Sequence, residues 1–379
     1  MSQQKPVSPR MGRGMRPVRY GMIGFGGIAE HRLAREGFGC DDARVPPLPT
    51  AVLAGATDVN PARRQAARAL GLRWYPDAQA LLADPDIDAV VVATNNRTHA
   101  PLALQALDAG KPVLVEKPLA TTLREAQALV RRARQRGLSL AVDHMMVHNV
   151  LNTKARALLA DGALGEVNDA CFHMQFAYGY APEEAASWRC SRRDELGGPV
   201  GDVGSHCFYM MEALLATRIR AVRAVYYPKR MAIAVEDGAL IQCELDSGIT
   251  VAAQVSFCEP RGGTGGTLSG LGYEIYGSRG VLRGYGTLFQ FSGYPDEPIT
   301  LRLELDTFTR RRNFTIAKPV NIYQAVIRDH AASILAGRPL TGEDGLRNVR
   351  LCAAAHRSAR QDGARVAIDP PGDGPHPVQ

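Results

Sequence analysis

A glycine-rich segment near the start of the chain, Gly24-Phe25-Gly26-Gly27-Ile28-Ala29, has the spacing of a phosphate-binding turn. It follows the apolar run VRYGMIG and opens a helical segment, which matches the pattern G-x-G-x-x-A. The first glycine of this pattern permits a tight turn, the second lets a pyrophosphate approach the backbone, and the small third residue lets helix and strand pack closely. The free N–H groups of the helix N-terminus can then bind phosphate. The segment therefore predicts a dinucleotide site.

A carboxylate, Asp58, ends the next predicted strand, AVLAGATD. A carboxylate at this point accepts hydrogen bonds from the adenosine ribose diol and repels a 2′-phosphate, so it favours NAD over NADP. The residue comes later than usual because GFGCDDARVPPLPT looks like an inserted loop. Two alternatives stay open. Asp58 can also cap the helix that begins NPARRQ, and Arg63 and Arg64 are near enough in sequence to weaken the preference for NAD.

The tripeptide Glu116-Lys117-Pro118 stands at the end of the predicted strand PVLVE. The carboxyl ends of strands are where an open α/β sheet places its ligand. A lysine there can hydrogen-bond a substrate oxygen or help to move its proton, and Glu116 can hold the ammonium group in place. The bond before a proline is also the one at which a cis peptide costs little. Because this tripeptide is common on protein surfaces, the prediction depends on its position.

Asp202 and His206 lie four residues apart in the segment GGPVGDVGSH. On a helix these two side chains share one face. An imidazole beside a carboxylate is a standard general base, with a pKa suited to neutral pH. The spacing alone also fits a structural histidine, so both interpretations stay open.

Two different patterns of apolar residues indicate where these groups are held. From Val18 to His144, short apolar runs alternate with helical segments, which predicts an α/β domain with a doubly wound parallel sheet covered on both faces. After residue 150, runs such as VAAQVSFC and PITLRLELD alternate strictly, which predicts an α+β domain with a mostly antiparallel sheet. The expected divisions are a tail at 1–16, a dinucleotide-binding domain at 17–146, a substrate and oligomerisation domain at 147–368 whose late helices can pack back on the first domain, and a tail at 369–379.

The composition of the 379-residue chain, 45% apolar and 22% charged, excludes collagen-like, coiled-coil and wholly disordered classes. The formal net charge is +7. No basic stripe is interleaved with aromatic residues, so we expect no nucleic-acid partner. The triplet Arg310-Arg311-Arg312 predicts a solvated face, with an anion or partner contact as the alternative. Most of the excess charge is concentrated at the start of the chain, in Lys5, Arg10, Arg13, Arg16 and Arg19.

Seven scattered cysteines without a C-x-x-C pair indicate reduced thiols and predict neither disulfides nor a metal site. No apolar run approaches the ~18 residues of a membrane span, and the first residues lack the apolar core of a secretory signal. We therefore expect a cytoplasmic protein with no membrane contact. The run RGGTGGTLSG at 261–270 predicts a flexible hairpin connection, with a mobile lid or an oligomer contact as the alternative.

Taken together, these motifs resemble the Gfo/Idh/MocA oxidoreductase family, which includes inositol and sugar dehydrogenases. The glycine-rich turn, the stretch AVVVATNNRTHAPLALQALDAGKPVLVEKPLA and the segment WR…GGPVGDVGSH occur in the family's order, and the resemblance covers about residues 18–362. It implies an N-terminal Rossmann domain that binds the dinucleotide and a C-terminal open sheet that covers the substrate and often forms the dimer interface. It also implies a cis peptide between Lys117 and Pro118.

The resemblance implies roles for individual residues. Lys117, Asp202 and His206 match the residues that act on the substrate. The chain departs from the family at Leu196, where many members have a glycine. It also departs at Asp143-His144-Met145-Met146, which replaces an arginine-containing stretch. His144 and His148 are then either pocket residues or core residues. We also expect five residues to contact the nicotinamide side of the dinucleotide: Thr94, Asn95, His99, Glu116 and Lys117. Three more are expected to contact the substrate: His144, Trp188 and Arg189.

The resulting expectation is an NAD-dependent or NADP-dependent dehydrogenase that oxidises a secondary hydroxyl of a cyclic polyol or sugar, or reduces the keto form. His206 is the expected base, Asp202 orients it or binds a neighbouring hydroxyl, and Lys117 polarises the reacting oxygen. We expect a homodimer or homotetramer. The alternatives are a glycoside-cleaving enzyme that uses bound NAD transiently and a non-catalytic dinucleotide sensor. A pure sensor could lose the three catalytic residues, so their presence disfavours it.

Overall fold

The first part of the chain forms a six-stranded parallel sheet with the strand order β3-β2-β1-β4-β5-β6. The computed structural model describes residues 16–41, 44–258 and 270–368. Every residue of strands β4, β5 and β6 is buried, as expected for a parallel sheet covered on both faces. This confirms the predicted doubly wound architecture. The strands are β1 Val18–Ile23, β2 Ala51–Thr57, β3 Arg73–Trp74, β4 Ala89–Val92, β5 Val113–Val115 and β6 Leu140–Val142.

Helices connect these strands, and capping residues fix where a helix begins and ends. Thr122 accepts a hydrogen bond from the backbone of Glu125 at the start of α4, and Gly137 ends that helix in the left-handed conformation at φ +64°. The helix after the glycine-rich turn, Ala29–Gly37, is wound as a π-helix. The α-helices of this part are α1 Arg63–Ala69, α2 Ala78–Ala83, α3 Asn96–Asp108 and α4 Leu123–Arg136.

The second part of the chain forms a nine-stranded sheet with the order β14-β13-β12-β11-β7-β10-β9-β8-β15. Neighbouring strands are antiparallel except β7 and β10, which are parallel. The alternation predicted for β10 is confirmed, since Val251, Ala253 and Val255 are fully buried. The strands are β7 Val167–Gln175, β8 Ile219–Tyr226, β9 Gly238–Leu245, β10 Thr250–Ser256, β11 Leu271–Gly277, β12 Gly280–Tyr285, β13 Arg302–Thr307, β14 Arg311–Phe314 and β15 Val366–Ala367.

Helices from the second part of the sequence pack against the first sheet. Tyr20 of β1 lies 3.0 Å from the ring nitrogen Nδ1 of His330. A Cβ atom added to Gly345 would lie 2.3 Å from a methyl carbon of Val142, so the helix Glu343–Ala359, which contains Gly345, lies directly against β6. The α-helices here are α5 Val150–Ala160, α6 Pro182–Ala186, α7 Trp188–Ser191, α8 Ser205–Leu215, α9 Ile322–Leu335 and α10 Glu343–Ala359, with shorter 3₁₀ turns at Met145–His148 and Arg193–Glu195 and a π-helical turn at Val200–Gly204.

Several segments singled out in the sequence lie wholly or partly outside the described residues. The tails 1–16 and 369–379 lie outside them, except Arg16, which pairs with Asp88 at 2.8 Å. Residues 261–269 of the glycine-rich run also lie outside them. In the arginine triplet, Arg311 pairs with Asp306 at 3.0 Å. None of the described helices combines the length and the apolar character that a membrane span needs.

Candidate functional site

A cavity of about 1440 Å³ lies where the carboxyl ends of the parallel strands face the second sheet. Its lining includes the glycine-rich turn, the ends of β2, β4 and β5, and residues of β7 and α8. Pockets for one small ligand usually measure ~300–1,000 Å³. The larger volume leaves room for an extended dinucleotide and a second, smaller molecule.

The glycine-rich turn leaves an open cradle at one end of this cavity. Gly24 has φ +88°, and a Cβ atom there would lie 2.5 Å from the carbonyl oxygen of Ala93, so only glycine fits. A Cβ atom on Gly26 or Gly27 would meet nothing within 4 Å. Side chains at these two positions would therefore occupy open space beside the start of the π-helix. This geometry fits the pyrophosphate of a dinucleotide.

Asp58 ties this turn to the loop after β2. Its Oδ2 accepts a hydrogen bond from the backbone N–H of Phe25 at 2.6 Å, and its Oδ1 accepts one from Asn60 at 2.7 Å. Each carboxylate oxygen has a further lone pair, and the residue lines the cavity. Asn60, rather than Asp58, accepts a bond from Ala62 next to α1, at 3.0 Å.

The two arginines that follow Asp58 differ in their contacts. Arg63 donates from Nε to the carbonyl oxygen of Phe25 at 2.6 Å and forms an ion pair with Glu30. Its guanidinium group is thus already bound to protein acceptors beside the glycine-rich turn. Arg64 is exposed.

The residues after β4 lie along the same edge of the sheet. Asn95 is the exposed N-cap residue of α3 and, like Thr94, lines the cavity. His99 is almost fully buried, with Nδ1 2.8 Å from the carbonyl oxygen of Pro118 and Nε2 3.1 Å from that of Thr94. Burial lowers the pKa of His99, so the ring is neutral and can donate to only one of these oxygens at a time. His99 therefore connects the start of α3 to the loop after β5.

Lys117 lies at the centre of an ion cluster, and the peptide bond to Pro118 is cis. Its Nζ donates to Oδ1 of Asp202 at 2.7 Å and to the carbonyl oxygen of the same residue at 2.9 Å. The other carboxylate oxygen of Asp202, Oδ2, lies 3.2 Å from Nε of Arg189. Burial by itself would raise the pKa of Asp202, but the two cations outweigh it and hold that pKa well below its ordinary value.

His206 is buried next to this cluster and lines the cavity. Its Nδ1 lies 2.8 Å from the hydroxyl oxygen of Tyr209, and burial and the charge of Lys117 hold its pKa well below the ordinary value. The hydrogen-bond partner of the ring is therefore Tyr209, whereas we expected Asp202 either to orient the ring or to bind a neighbouring hydroxyl. The physical reason is local: Tyr209 follows His206 by three residues in α8 and so lies on the same helix face, while Lys117 and Arg189 bind the two carboxylate oxygens of Asp202.

Comparison with known proteins accounts for both halves of the chain. Residues 18–144 match the oxidoreductase family with an NAD-binding Rossmann fold, and residues 152–283 match the GFO/IDH/MocA C-terminal domain. The 1,5-anhydro-D-fructose reductase of Ensifer adhaerens is 31% identical over 70% of this chain and 75% of its own length. A dTDP-3,4-didehydro-2,6-dideoxy-alpha-D-glucose 3-reductase of Streptomyces violaceoruber is 30% identical over 71% of this chain and 72% of its own length.

The chain belongs to the Gfo/Idh/MocA oxidoreductase family. It is an oxidoreductase with an NAD-binding Rossmann domain. The fold is also that of the aldose-aldose oxidoreductase of Caulobacter crescentus, solved in complex with glycerol. That structure has a TM-score of 0.78 and 24% identity, and the match covers 93% of this chain and all of that one.

A departure from the Gfo/Idh/MocA pattern, Leu196, has a direct structural explanation. Its backbone is left-handed, with φ +51° and ψ +38°, a conformation that glycine adopts at little cost. This accounts for the glycine that many members have there. The preceding residue, Glu195, accepts hydrogen bonds from Nδ2 of Asn96 at 2.7 Å and from the backbone of Arg97 at 3.1 Å. These contacts, which our sequence analysis missed, join the turn at 193–196 to the start of α3.

Two carboxyl groups lie side by side behind Lys117. Glu116 follows β5 and Asp143 follows β6, and the register pairs the preceding residues of these strands, Val115 and Val142. Both oxygens of Asp143 are buried and lack a hydrogen-bond donor among the described residues. Burial and the neighbouring charge of Glu116 raise the pKa of Asp143 well above its ordinary value, and burial also raises the pKa of Glu116. Our sequence analysis noted Asp143 only as a departure from the Gfo/Idh/MocA pattern, although its place at a strand end was a usable signal.

The expected substrate-side residues divide into two groups. Trp188 and Arg189 line the cavity, with the guanidinium carbon of Arg189 4.6 Å from the Trp188 ring centroid. His144 does not line it: its ring stacks on Tyr209 at 4.3 Å, and its Nδ1 lies 3.2 Å from a carboxylate oxygen of Asp344. His148 is also outside the lining.

Metal ligation requires a group of suitable side chains. Within 16–41, 44–258 and 270–368, no group of three or more His, Cys, Asp or Glu residues is arranged to hold an ion.

Proposed function

We propose that the protein oxidises a secondary hydroxyl of a sugar or cyclic polyol, or reduces the corresponding ketone. The observation that carries the proposal is the ammonium group of Lys117, held by Asp202 at the wall of a cavity large enough for two ligands. The compared relatives are reductases or oxidoreductases of sugars, which supports a sugar substrate. The bound dinucleotide supplies the hydride acceptor or donor at its nicotinamide ring.

Lys117 stabilises charge on the reacting oxygen in this proposal. The ammonium group has three N–H donors, and Asp202 receives two of them. The third is left for a substrate oxygen, whose negative charge grows as the hydroxyl loses its proton. Arg189 and Lys117 keep Asp202 ionised, so the carboxylate holds the ammonium group in position over a wide range of pH.

His206 moves the proton. Its Nδ1 is engaged by Tyr209, which leaves Nε2 for the substrate hydroxyl. A base must be neutral before it acts, and burial together with the charge of Lys117 favours the neutral imidazole at physiological pH. With Nδ1–H donating to Tyr209, Nε2 accepts the hydroxyl proton during oxidation and returns it during reduction.

The remaining sequence-predicted residues bind the dinucleotide in this proposal. Gly24, Phe25, Gly26, Gly27 and Ile28 surround the pyrophosphate. Asp58 receives the ribose hydroxyls and favours NAD, because Arg63 is already paired with Glu30. Along the nicotinamide side lie Thr94, Asn95, His99, Glu116 and Lys117.

We further propose that the protein is a homodimer or homotetramer in the cytoplasm. Val225 and Leu240, which face each other on β8 and β9, are 56% and 47% exposed, so the second sheet presents apolar side chains on its open face. All seven cysteines are free, which supports a reducing compartment.

The first experiment follows dinucleotide reduction by the purified protein with NAD⁺ and NADP⁺ across aldoses, anhydrosugars, inositols and glycosides. We expect reduction with one substrate class and a loss on the order of 10²-fold or more in kcat for Lys117→Ala, because the oxyanion loses its cation. The thermal unfolding midpoint of the variant is the control for folding. Tight binding without reduction of any substrate would contradict the proposal, and sugar release without net reduction would favour the glycoside-cleaving alternative.

A further inference from the structure

One wall of the cavity is built from aromatic side chains of the second part of the chain. Tyr178, Phe176 and Phe289 line it, and each is only partly buried by the protein. The rings form a connected series. Tyr178 lies 5.3 Å from Phe257, Phe257 lies 5.6 Å from Phe176, and Phe176 meets Phe289 edge-on at 5.7 Å. Phe257 is fully buried and supports Tyr178 and Phe176 from behind.

One end of this aromatic wall lies beside the catalytic cluster. Tyr178 lies 3.3 Å from the Ser187 hydroxyl, next to Trp188 and Arg189, and Arg189 pairs with Asp202. A six-membered sugar ring is about as wide as one aromatic ring. Three aromatic rings in series therefore offer more stacking surface than one sugar ring bound at Lys117 can cover.

The methionines of the cavity add to its apolar character. Met145, Met146 and Met174 line it and are almost fully buried by their protein neighbours. Methionine adapts its shape to aromatic and irregular apolar groups. The charged groups on the substrate side are concentrated around Lys117, Asp202 and His206. Beside the wall, the Tyr178 hydroxyl already lies 3.3 Å from that of Ser187, and Oε1 of Gln290 accepts a hydrogen bond from Tyr323 at 3.1 Å. A molecule hydroxylated over its whole length would therefore leave hydroxyl groups facing apolar side chains. Leaving such groups unpaired is costly.

The cations that line the cavity are already paired with carboxylates. Among the described lining residues, Arg32 and Arg44 both pair with Glu36, at 2.9 and 3.3 Å, and Lys117 and Arg189 both pair with Asp202. A phosphate or diphosphate on the substrate would need cations that are free to bind it. The lining therefore favours an uncharged substrate.

We infer that the substrate is an uncharged glycoside whose aglycone, an aryl or similar apolar group, lies on the wall formed by Tyr178, Phe176 and Phe289. This inference rests on the proposed function and specifies its substrate class. Hydride leaves the carbinol carbon of the sugar for the oxidised nicotinamide, and the hydroxyl proton goes to His206. The carbon–oxygen bond becomes a carbonyl, and the glycosidic bond to the aglycone stays intact.

The experiment compares matched substrates with the full-length protein and the dinucleotide. Phenyl and methyl glycosides of glucose, galactose and xylose, in both anomers, are assayed beside the free sugars, myo-inositol and dTDP-glucose. We expect kcat/KM for the preferred phenyl glycoside to exceed that for its methyl counterpart by ~10-fold or more, since apolar burial of this size gives such discrimination. Phenyl glycosides should also exceed the free sugar, myo-inositol and dTDP-glucose.

Variants of the wall provide the second readout. Phe289→Leu and Phe176→Leu keep an apolar side chain but remove an aromatic face, so the phenyl-to-methyl ratio of kcat/KM should fall by about 5-fold to 10-fold. The ratio is measured within each variant, so a general loss of activity does not affect it. Phe314→Leu, on β14 and outside the cavity lining, is the matched control and should keep the wild-type ratio.

The outcomes separate the inference from the function on which it rests. Equal use of phenyl and methyl glycosides, or a preference for free sugars or inositol, overturns the apolar aglycone but leaves a sugar dehydrogenase. A preference for dTDP-glucose overturns the uncharged substrate. An unchanged ratio in both phenylalanine variants removes the wall from the binding site. No dinucleotide reduction with any member of the series refutes the proposed function itself.

Discussion

Charged residues around Lys117 balance one another within a few ångströms. Lys117 and Arg189 are positive, Asp202 is negative, and Glu116 and Asp143 are buried side by side. If both carboxyl groups of the last pair were ionised, the cluster would carry a net negative charge in a poorly solvated place. One shared proton makes the cluster neutral. Burial first, and then the neighbouring charge of Glu116, therefore raise the pKa of Asp143 well above its ordinary value.

The protonated carboxyl of Asp143 gives a prediction about stability. Its ordinary pKa is 3.8 and the folded value is raised, so above that pH the native state binds a proton that the unfolded state releases. Stability is therefore lost as the pH rises from 3.8 towards the folded value, by up to about 1.4 kcal/mol per pH unit. Asp143→Asn has no proton to lose. Its unfolding free energy relative to wild type should increase with pH across this window.

Chemical denaturation at a series of pH values measures this difference. Asp246→Asn, at an exposed position, is the control and should follow the wild type at every pH. A difference between Asp143→Asn and wild type that stays constant with pH would show that Asp143 is ionised in the native state.

At the scale of the element, the turn that contains Leu196 is strained. A residue with a side chain in the left-handed conformation costs about 1–2 kcal/mol relative to the right-handed one, and glycine avoids this cost. Leu196 is held there because Glu195 bonds to Asn96 and Arg97 on the other sheet's helix α3. The turn thus connects the two parts of the chain next to the cavity.

Leu196→Gly and Leu196→Ala both remove the side chain, but only glycine relieves the backbone. We expect the glycine variant to be more stable than the alanine variant by about 1 kcal/mol, after allowance for the greater freedom of glycine in the unfolded chain. Thermal and urea unfolding of the two variants measure the difference. An alanine variant as stable as the glycine variant would mean that the turn relaxes out of the left-handed conformation.

At the scale of the whole molecule, the second sheet has one face covered by helices and one face open. Ion pairs cross the open face, such as Arg283 with Asp306 at 3.6 Å, and apolar groups lie among them. The proposed oligomer would cover this face. The cavity is lined by Met174, which lies on the covered face of β7, so assembly through the open face can proceed without blocking the cavity.

Leu240→Asp tests this arrangement, because a charge at the centre of an apolar contact between two copies is costly to bury. We expect wild type to sediment as a dimer or tetramer and the variant to sediment as a monomer in analytical ultracentrifugation. Phe308→Asp is the control, since Phe308 is 90% exposed and lies beyond the end of β13, off the sheet face. Wild-type protein that sediments as a monomer would contradict the proposal.

Local patterns along the chain predicted a large part of this protein. Gly24 and its neighbours depend only on a strand, a turn and a helix that follow one another, and the structure shows the expected left-handed backbone. Lys117 could be placed because a parallel strand delivers its last residues to one edge of the sheet whatever its neighbours are. Strict alternation in β10 predicted which side chains are buried. Each of these features follows from interactions over a few residues.

Contacts between distant residues were decided only by the tertiary structure. Lys117 from the first part of the chain binds Asp202, while His206 bonds to Tyr209 of its own helix, and the spacing of Asp202 and His206 carries no sign of either contact. Glu116 and Asp143 meet because β5 and β6 are neighbours, and the series of rings from Tyr178 to Phe289 joins separate strands and loops. The spacing of apolar residues along the chain predicts which face of each helix or strand is buried. Which buried groups touch depends on how the elements pack, and packing sets the pKa values and the substrate wall of this site.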